Sequence, residues 1–193
     1  MFNYSWKKEL LTIPNFLSLF RLLLIPVYIR MYIQATNNLD YYMAGTLLGI
    51  SCLTDLADGK IAREFNMVSN VGKLLDPLAD KLTQFALLLS LLRVHRILYP
   101  ILVLFLVKEI FQCILMLIFA QKGKILTGAL LPGKLCTSVL FGSLFLLVIF
   151  PRLQNWAVEC LVLLDAIFLF YALIGYIQAY FGSNTKLTDL QKE

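Results

Sequence analysis

Apolar residues run along this chain in long blocks instead of alternating with polar ones. Six blocks approach or exceed the roughly 20 residues that a membrane-crossing helix needs. Their limits are 14–35, 41–62, 76–93, 97–120, 132–151 and 156–181. The connections are short and no internal repeat is apparent, so the pattern predicts one domain over residues 1–193. The expected fold is an all-α integral membrane protein with six transmembrane helices. Ahead of the first block, Phe2, Trp6, Leu10 and Leu11 alternate with Lys7, Lys8 and Glu9, the pattern of a short N-terminal amphipathic helix lying in the interface. No short apolar core ends in a small-residue cleavage site, so the chain is expected to enter the membrane as it stands.

Composition agrees and narrows the class. The chain is 60% hydrophobic and 15% charged, with a mean hydropathy of +0.78, against about 45–50% and about 25% in soluble domains. That excludes disordered and disulfide-scaffold classes. Cys52, Cys113, Cys136 and Cys160 show no metal-ligand spacing and read as packing residues. The formal charge of +5 marks loops facing anionic lipid headgroups, with no nucleic acid as partner. Lys7, Lys8, Lys60, Arg63, Lys73, Lys122, Lys124, Lys134, Lys186 and Lys192 fall on one side, and Arg30, Arg93, Arg96 and Arg152 on the other. The excess puts both termini on the cytoplasmic side of a plasma membrane.

Against this apolar background, residues 52–84 stand out. Four of the seven aspartates, Asp55, Asp58, Asp76 and Asp80, lie there. A charge near the bilayer centre costs about 2.5–3.5 kcal/mol on insertion scales, so these carboxylates need partners, water or metal. Asp55 and Asp58 share a helix face at the end of the second block; Asp76 and Asp80 share one at the start of the third. Hard oxygen donors without His or Cys favour Mg²⁺, Mn²⁺ or Ca²⁺ over zinc, and four close carboxylates suit a two-metal site. Gly59, Ala62 and Gly72 keep the surrounding surface low, and Arg63 offers a fork for phosphate oxygens. Each residue also has a plain structural reading. Asp76-Pro77 reads as a helix N-cap followed by proline at the first helical position, Asp58 and Arg63 as an interfacial ion pair, and Gly59 as a packing glycine.

Taken together, Asp55-x2-Asp58-Gly59-x2-Ala62-Arg63-x8-Gly72-x3-Asp76-x3-Asp80 resembles the complete signature of the CDP-alcohol phosphatidyltransferases. The resemblance implies a six-helix membrane bundle, a homodimer, and a site at the cytoplasmic boundary. It implies that Asp55, Asp58, Asp76 and Asp80 hold two divalent cations, Mg²⁺ or Mn²⁺. It further implies that Asp55, Asp58, Gly59, Ala62, Arg63 and Gly72 bind the CDP part of the lipid donor, and that Asp80 is also the general base.

Ile13-Pro14-Asn15-Phe16-Leu17-Ser18-x2-Arg21, the run Gly72 to Lys81, and Gly133-Lys134-x2-Thr137 are similar to the phosphatidylglycerophosphate synthase branch. That implies CDP-diacylglycerol as donor and glycerol 3-phosphate as acceptor, with Arg21, Lys81, Lys108 and Lys134 as residues for the acceptor. Where that branch has Arg-Glu and a later Leu-Arg, this chain has Lys108-Glu109 and Met116. A cardiolipin synthase, accepting phosphatidylglycerol, is the alternative within the superfamily. A divalent-cation transporter is the alternative of another class, but it would spread its acids along a path across the bilayer.

Other polar residues carry weaker expectations. Arg21, inside the first block, either snorkels or pairs structurally, or as a site residue meets substrate phosphate or an aspartate. Lys108 and Glu109 are adjacent, do not share a helix face, and are expected to need separate partners. His95 reads as a solvated loop residue, Gly45-x3-Gly49 as a packing stripe inside the bundle, and the aromatic residues of the last block as filler facing lipid or the interface.

Overall fold

The computed structural model describes residues 13–64, 72–121, 124–126, 131–181 and 187–189, with side chains over 17–54, 76–119, 121 and 131–181. Each apolar block folds as a helix: α1 Ile13–Gln34, α2 Asn38–Glu64, α3 Gly72–Leu91, α4 Tyr99–Gln121, α5 Leu131–Ile149 and α6 Asn155–Phe181. A 3₁₀ turn, Arg96–Leu98, leads into α4. The stretch expected to form the N-terminal amphipathic helix lies outside the described residues.

Two differences from a purely helical reading have simple causes. Lys124–Leu126 (β1) pairs antiparallel with Leu187–Asp189 (β2), Ile125 opposite Thr188; three residues are too few for alternation to register in the sequence. Second, α3 starts at Gly72, one turn before Asp76, and Pro77 lies inside it. The Asp-Pro pair is therefore not an N-cap. The helix forgoes the hydrogen bond that the Pro77 nitrogen cannot donate, as α1 does at Pro26.

Among the described residues four segments are long and apolar enough to cross a membrane: Leu17–Gln34, Arg96–Phe119, Leu131–Ile149 and Asn155–Phe181. The protein is a multi-pass membrane protein. One end of each of α2 and α3 carries the signature aspartates together with Lys60, Arg63, Glu64, Lys73 and Lys81.

The chain forms two units. Residues 1–94 with 148–151 make the first, and 95–147 with 152–193 the second. In the first, α1 packs along both α2 and α3. Buried Tyr28 and Tyr32 stack along α1 with ring centroids 5.8 Å apart, and Tyr41 meets Tyr32 edge-on at 5.1 Å. Small residues let the helices approach: Ala44 and Ala79 are fully buried, and a Cβ on Gly45 would lie 3.2 Å from Ile149 Cγ1. Gly45 is thus used for packing within the unit. Buried hydroxyls are satisfied by the helix itself, Thr83 donating to the Ala79 carbonyl and Ser90 to that of Ala86.

The start of α2 is fixed by a reciprocal cap. The Asp40 amide donates to Asn37 Oδ1 at 3.0 Å, while Asp40 Oδ2 accepts from the Asn37 amide at 3.2 Å and the Thr36 amide at 2.9 Å. Asn37→Ala should lower stability by about 1 kcal/mol, measured by thermal unfolding in detergent. The Thr36 and Asn37 amides hold the Asp40 carboxyl below the ordinary carboxylate range. Its contribution is accordingly present above the unfolded value of about 3.9 and lost as the pH falls through the lower folded value.

In the second unit α4 packs along α6, and β1 lies against α4. Leu115, Tyr176, Ala179 and Tyr180 form a buried cluster flanked by Phe111 and Phe119. Phe111, Leu115 and Phe119 recur every four residues, so one stripe of α4 meets one stripe of α6. Tyr176 and Tyr180 are 8% and 6% exposed, which corrects the expectation that the aromatic residues of the last block are filler. Phe170, Tyr171 and Phe181 do stay exposed.

Candidate active site

The signature occupies the last three turns of α2 and the first turns of α3. Asp55, Asp58, Gly59, Ala62 and Arg63 lie on the helical backbone of α2, and their side chains fall outside the described residues. Gly72 opens α3, and Asp76 and Asp80 follow one turn apart on one face.

Helix α1 reaches that face with two residues of its own. Ser18 Oγ donates to Asp76 Oδ1 at 2.5 Å, and Arg21 Nη1 donates to Asp80 Oδ1 at 2.6 Å. Ser18 and Arg21 are three residues apart and Asp76 and Asp80 four, so one helical turn of α1 matches one of α3. Ser18 is fully buried and Arg21 is 3% exposed, whereas the Asp80 side chain is 55% exposed. Arg21 therefore brings its charge from the protein side and leaves the carboxylate open on the other. In the structure this intramembrane Arg pairs with an aspartate. Lys81, next in the chain, is partly buried.

The remaining basic candidates belong to the second unit. Lys108 is 3% exposed, and its ammonium lies 2.5 Å from Glu109 Oε1. This corrects the expectation of separate partners. Adjacent side chains diverge at the backbone, but both stems are long enough to fold back, and a low-dielectric surrounding favours the pair. The same ammonium stands 5.9 Å from the ring centroid of Tyr176. Lys134, near the start of α5, is exposed, and Thr137 turns its hydroxyl back to the carbonyls of Gly133 and Lys134 at 3.1 and 3.0 Å.

The family model for CDP-alcohol phosphatidyltransferase matches residues 11–178. The chain belongs to the CDP-alcohol phosphatidyltransferase family. It is 37% identical over 81 residues to a CDP-diacylglycerol–glycerol-3-phosphate 3-phosphatidyltransferase of Rickettsia typhi, covering 42% of this chain and 45% of that one. It is 39% identical over 72 residues to the protein of the same name from Wigglesworthia glossinidia brevipalpis, covering 37% and 39%. A Mycobacterium tuberculosis protein provisionally named a cardiolipin synthase is 43% identical over 76 residues, covering 39% and 35%. The matched stretches span less than half the length of each of these relatives.

Divalent metal is general in the phosphatidyltransferase family, and the described donors suit it. Asp76 and Asp80 offer only carboxylate oxygens, the set preferred by Mg²⁺ and Mn²⁺ over zinc. Among the described residues no group of three or more His, Cys, Asp or Glu converges on a point.

Some polar residues of this phosphatidyltransferase-family chain were not singled out by the sequence. Ser18 lay inside a recognised motif with no role attached. Asp165 is 1% exposed in α6, with Ser143 Oγ of α5 2.7 and 2.6 Å from its two oxygens. A lone aspartate inside an apolar block was the available signal, but a partner 22 residues away gives no local pattern. His95, expected to be solvated, is half-buried; its Nε2 has no hydrogen-bond partner among the described residues, and burial pushes the imidazole below its ordinary value.

Proposed function

We propose that this protein transfers the phosphatidyl group of CDP-diacylglycerol to glycerol 3-phosphate, forming phosphatidylglycerophosphate and releasing CMP. The observation that carries the reading is the complete eight-position signature, laid over the end of α2 and the start of α3 in a chain of this family. The names of the Rickettsia and Wigglesworthia relatives support the choice of acceptor.

Asp55, Asp58, Asp76 and Asp80 hold the two divalent cations, Mg²⁺ or Mn²⁺, which when bound neutralise charge on the diphosphate and on departing CMP. Asp55 and Asp58 also border the CDP moiety; Gly59, Ala62 and Gly72 leave room for it, and Arg63 forks onto its phosphate oxygens. Asp80 takes the proton of the acceptor hydroxyl. The hydroxyl oxygen then bonds to the phosphorus that carries the lipid, and the bond from that phosphorus to the CMP oxygen breaks. Arg21 acts through Asp80, holding one oxygen so that the carboxylate keeps its orientation. Arg21, Lys81, Lys108 and Lys134 are the basic residues proposed for the acceptor phosphate. Most of the acceleration is positioning and electrostatics.

In this reading α2 and α3 are two further spans, giving six in a single domain. The excess of Lys and Arg on one side puts the site and both termini at the cytoplasmic face of the plasma membrane, and the protein works as a homodimer.

The test is an assay of purified protein in detergent with CDP-diacylglycerol and Mg²⁺, offering glycerol 3-phosphate or phosphatidylglycerol separately. CMP together with phosphatidylglycerophosphate, formed only with glycerol 3-phosphate, is the expected result. Cardiolipin formed only from phosphatidylglycerol would move the protein to the second reading, which the mycobacterial relative favours. Metal flux into proteoliposomes without CDP-lipid, and no CMP with either acceptor, would favour a cation transporter.

A further inference from the structure

Three helices of the second unit meet at one phenol. The ring of Tyr176, on α6, faces the Lys108 ammonium of α4 at 5.9 Å. On α5, a Cβ built on Gly133 would fall 2.5 Å from Tyr176 Oη and 3.2 Å from Cζ. The neighbouring pair interlocks in the opposite sense, since a Cβ on Gly175 would fall 2.8 Å from Pro132 Cγ. Each glycine thus receives the ring of the other helix: Pro132 rests on Gly175, and Tyr176 rests on Gly133.

This arrangement gives the Gly-Lys-x2-Thr element a physical reason for its glycine, because the phenol occupies the volume that any side chain at 133 would need. It also ties two separate cations to one residue. Lys108 is held through the ring face, and the first turn of α5, with Lys134 immediately after Gly133, is held through the phenol oxygen.

We infer that Tyr176 is a positioning residue for the anionic acceptor, setting the placement of Lys108 and of the α5 start that carries Lys134. The inference rests on the reading of those two lysines as acceptor residues given above. Tyr176 touches neither substrate in this account; it acts through the two cations.

The experiment is a kinetic cycle on the full-length protein in detergent, with KM measured separately for glycerol 3-phosphate and CDP-diacylglycerol. Tyr176→Leu removes ring and hydroxyl and should raise KM for glycerol 3-phosphate about tenfold, leaving KM for CDP-diacylglycerol and kcat within about twofold. Tyr176→Phe keeps the ring face and should raise it less than about threefold. Should Tyr176→Leu fail to fold, Gly133→Ala tests the same contact from the other side. Its methyl collides with the phenol oxygen, so KM for the acceptor should rise; Gly133→Ala/Tyr176→Phe, which removes that oxygen, should recover most of the loss.

A purely structural tyrosine would lower the active fraction, reducing kcat with both KM values unchanged. That result, both KM values rising in parallel, or no recovery in the double variant would overturn the inference. Wild-type protein that ignores glycerol 3-phosphate would overturn the functional reading itself and this inference with it. The two failures are separated by whether wild-type or only variant behaviour departs from expectation.

Discussion

Asp80→Asn is expected to lower kcat by at least about 10³-fold while leaving expression and folding intact. A positioned general base contributes about 10²–10⁴-fold on its own, and this substitution also removes the charge of a cation ligand. The amide is isosteric with the carboxylate, and its oxygen can still accept the hydrogen bond from Arg21 Nη1, now 2.6 Å from Asp80 Oδ1. The Asp80 side chain is 55% exposed, so no packed core depends on it. CMP release and a melting profile, measured on the same preparation, separate lost chemistry from lost fold. Wild-type turnover in the variant would remove Asp80 from the reaction.

The largest stability effect should come from the other unit. Lys108 and Glu109 have side-chain exposures of 3% and 13% and form an ion pair. Truncating Glu109 to Leu leaves an ammonium buried without its carboxylate, a change that typically costs about 3–5 kcal/mol. Replacing both partners in Lys108→Met/Glu109→Leu removes the charge that needs compensation, so the double variant should recover most of that loss although its activity stays low. Unfolding of the two single variants and the double variant in detergent completes the cycle. Equal stability of Glu109→Leu and wild type would mean that the pair does not stabilise the fold.

The helical architecture was legible because apolar block length is a strong signal, and the observed helices begin and end within a few residues of the six blocks. What the blocks do not encode is the difference between a helix that is apolar throughout and one that carries the site at its end. α2 and α3 are helices as expected, and each carries signature aspartates at one end. Proline chemistry misled at Asp76-Pro77, where packing against α1 carries the helix one turn further back than local preference allows. Tertiary context outweighed local preference there, as it commonly does.

The candidate site was legible in part, for an equally physical reason. The aspartates announce themselves because a charge is conspicuous in an apolar chain, and their turn-by-turn spacing fixes a shared face. Partners across helices carry no such signal. Ser18 with Asp76, Arg21 with Asp80, and Ser143 with Asp165 are 58, 59 and 22 residues apart, distances that only folding closes. Tyr176 and Tyr180 were hidden by being apolar residues among apolar residues. Hydropathy cannot say which aromatic residue faces a helix and which faces lipid.

The central claim is that the carboxylates of α2 and those of α3 serve one shared cation site. Its most direct test is a titration of Mn²⁺ into metal-stripped protein, with bound ion counted by electron paramagnetic resonance, for wild type, Asp55→Asn and Asp76→Asn. The account predicts two bound ions with a spin–spin coupled signal in wild type, and loss of that coupled pair when either helix is altered. An unchanged coupled signal in either variant would contradict the claim of a shared site, and no Mn²⁺ binding by wild type would contradict the site altogether.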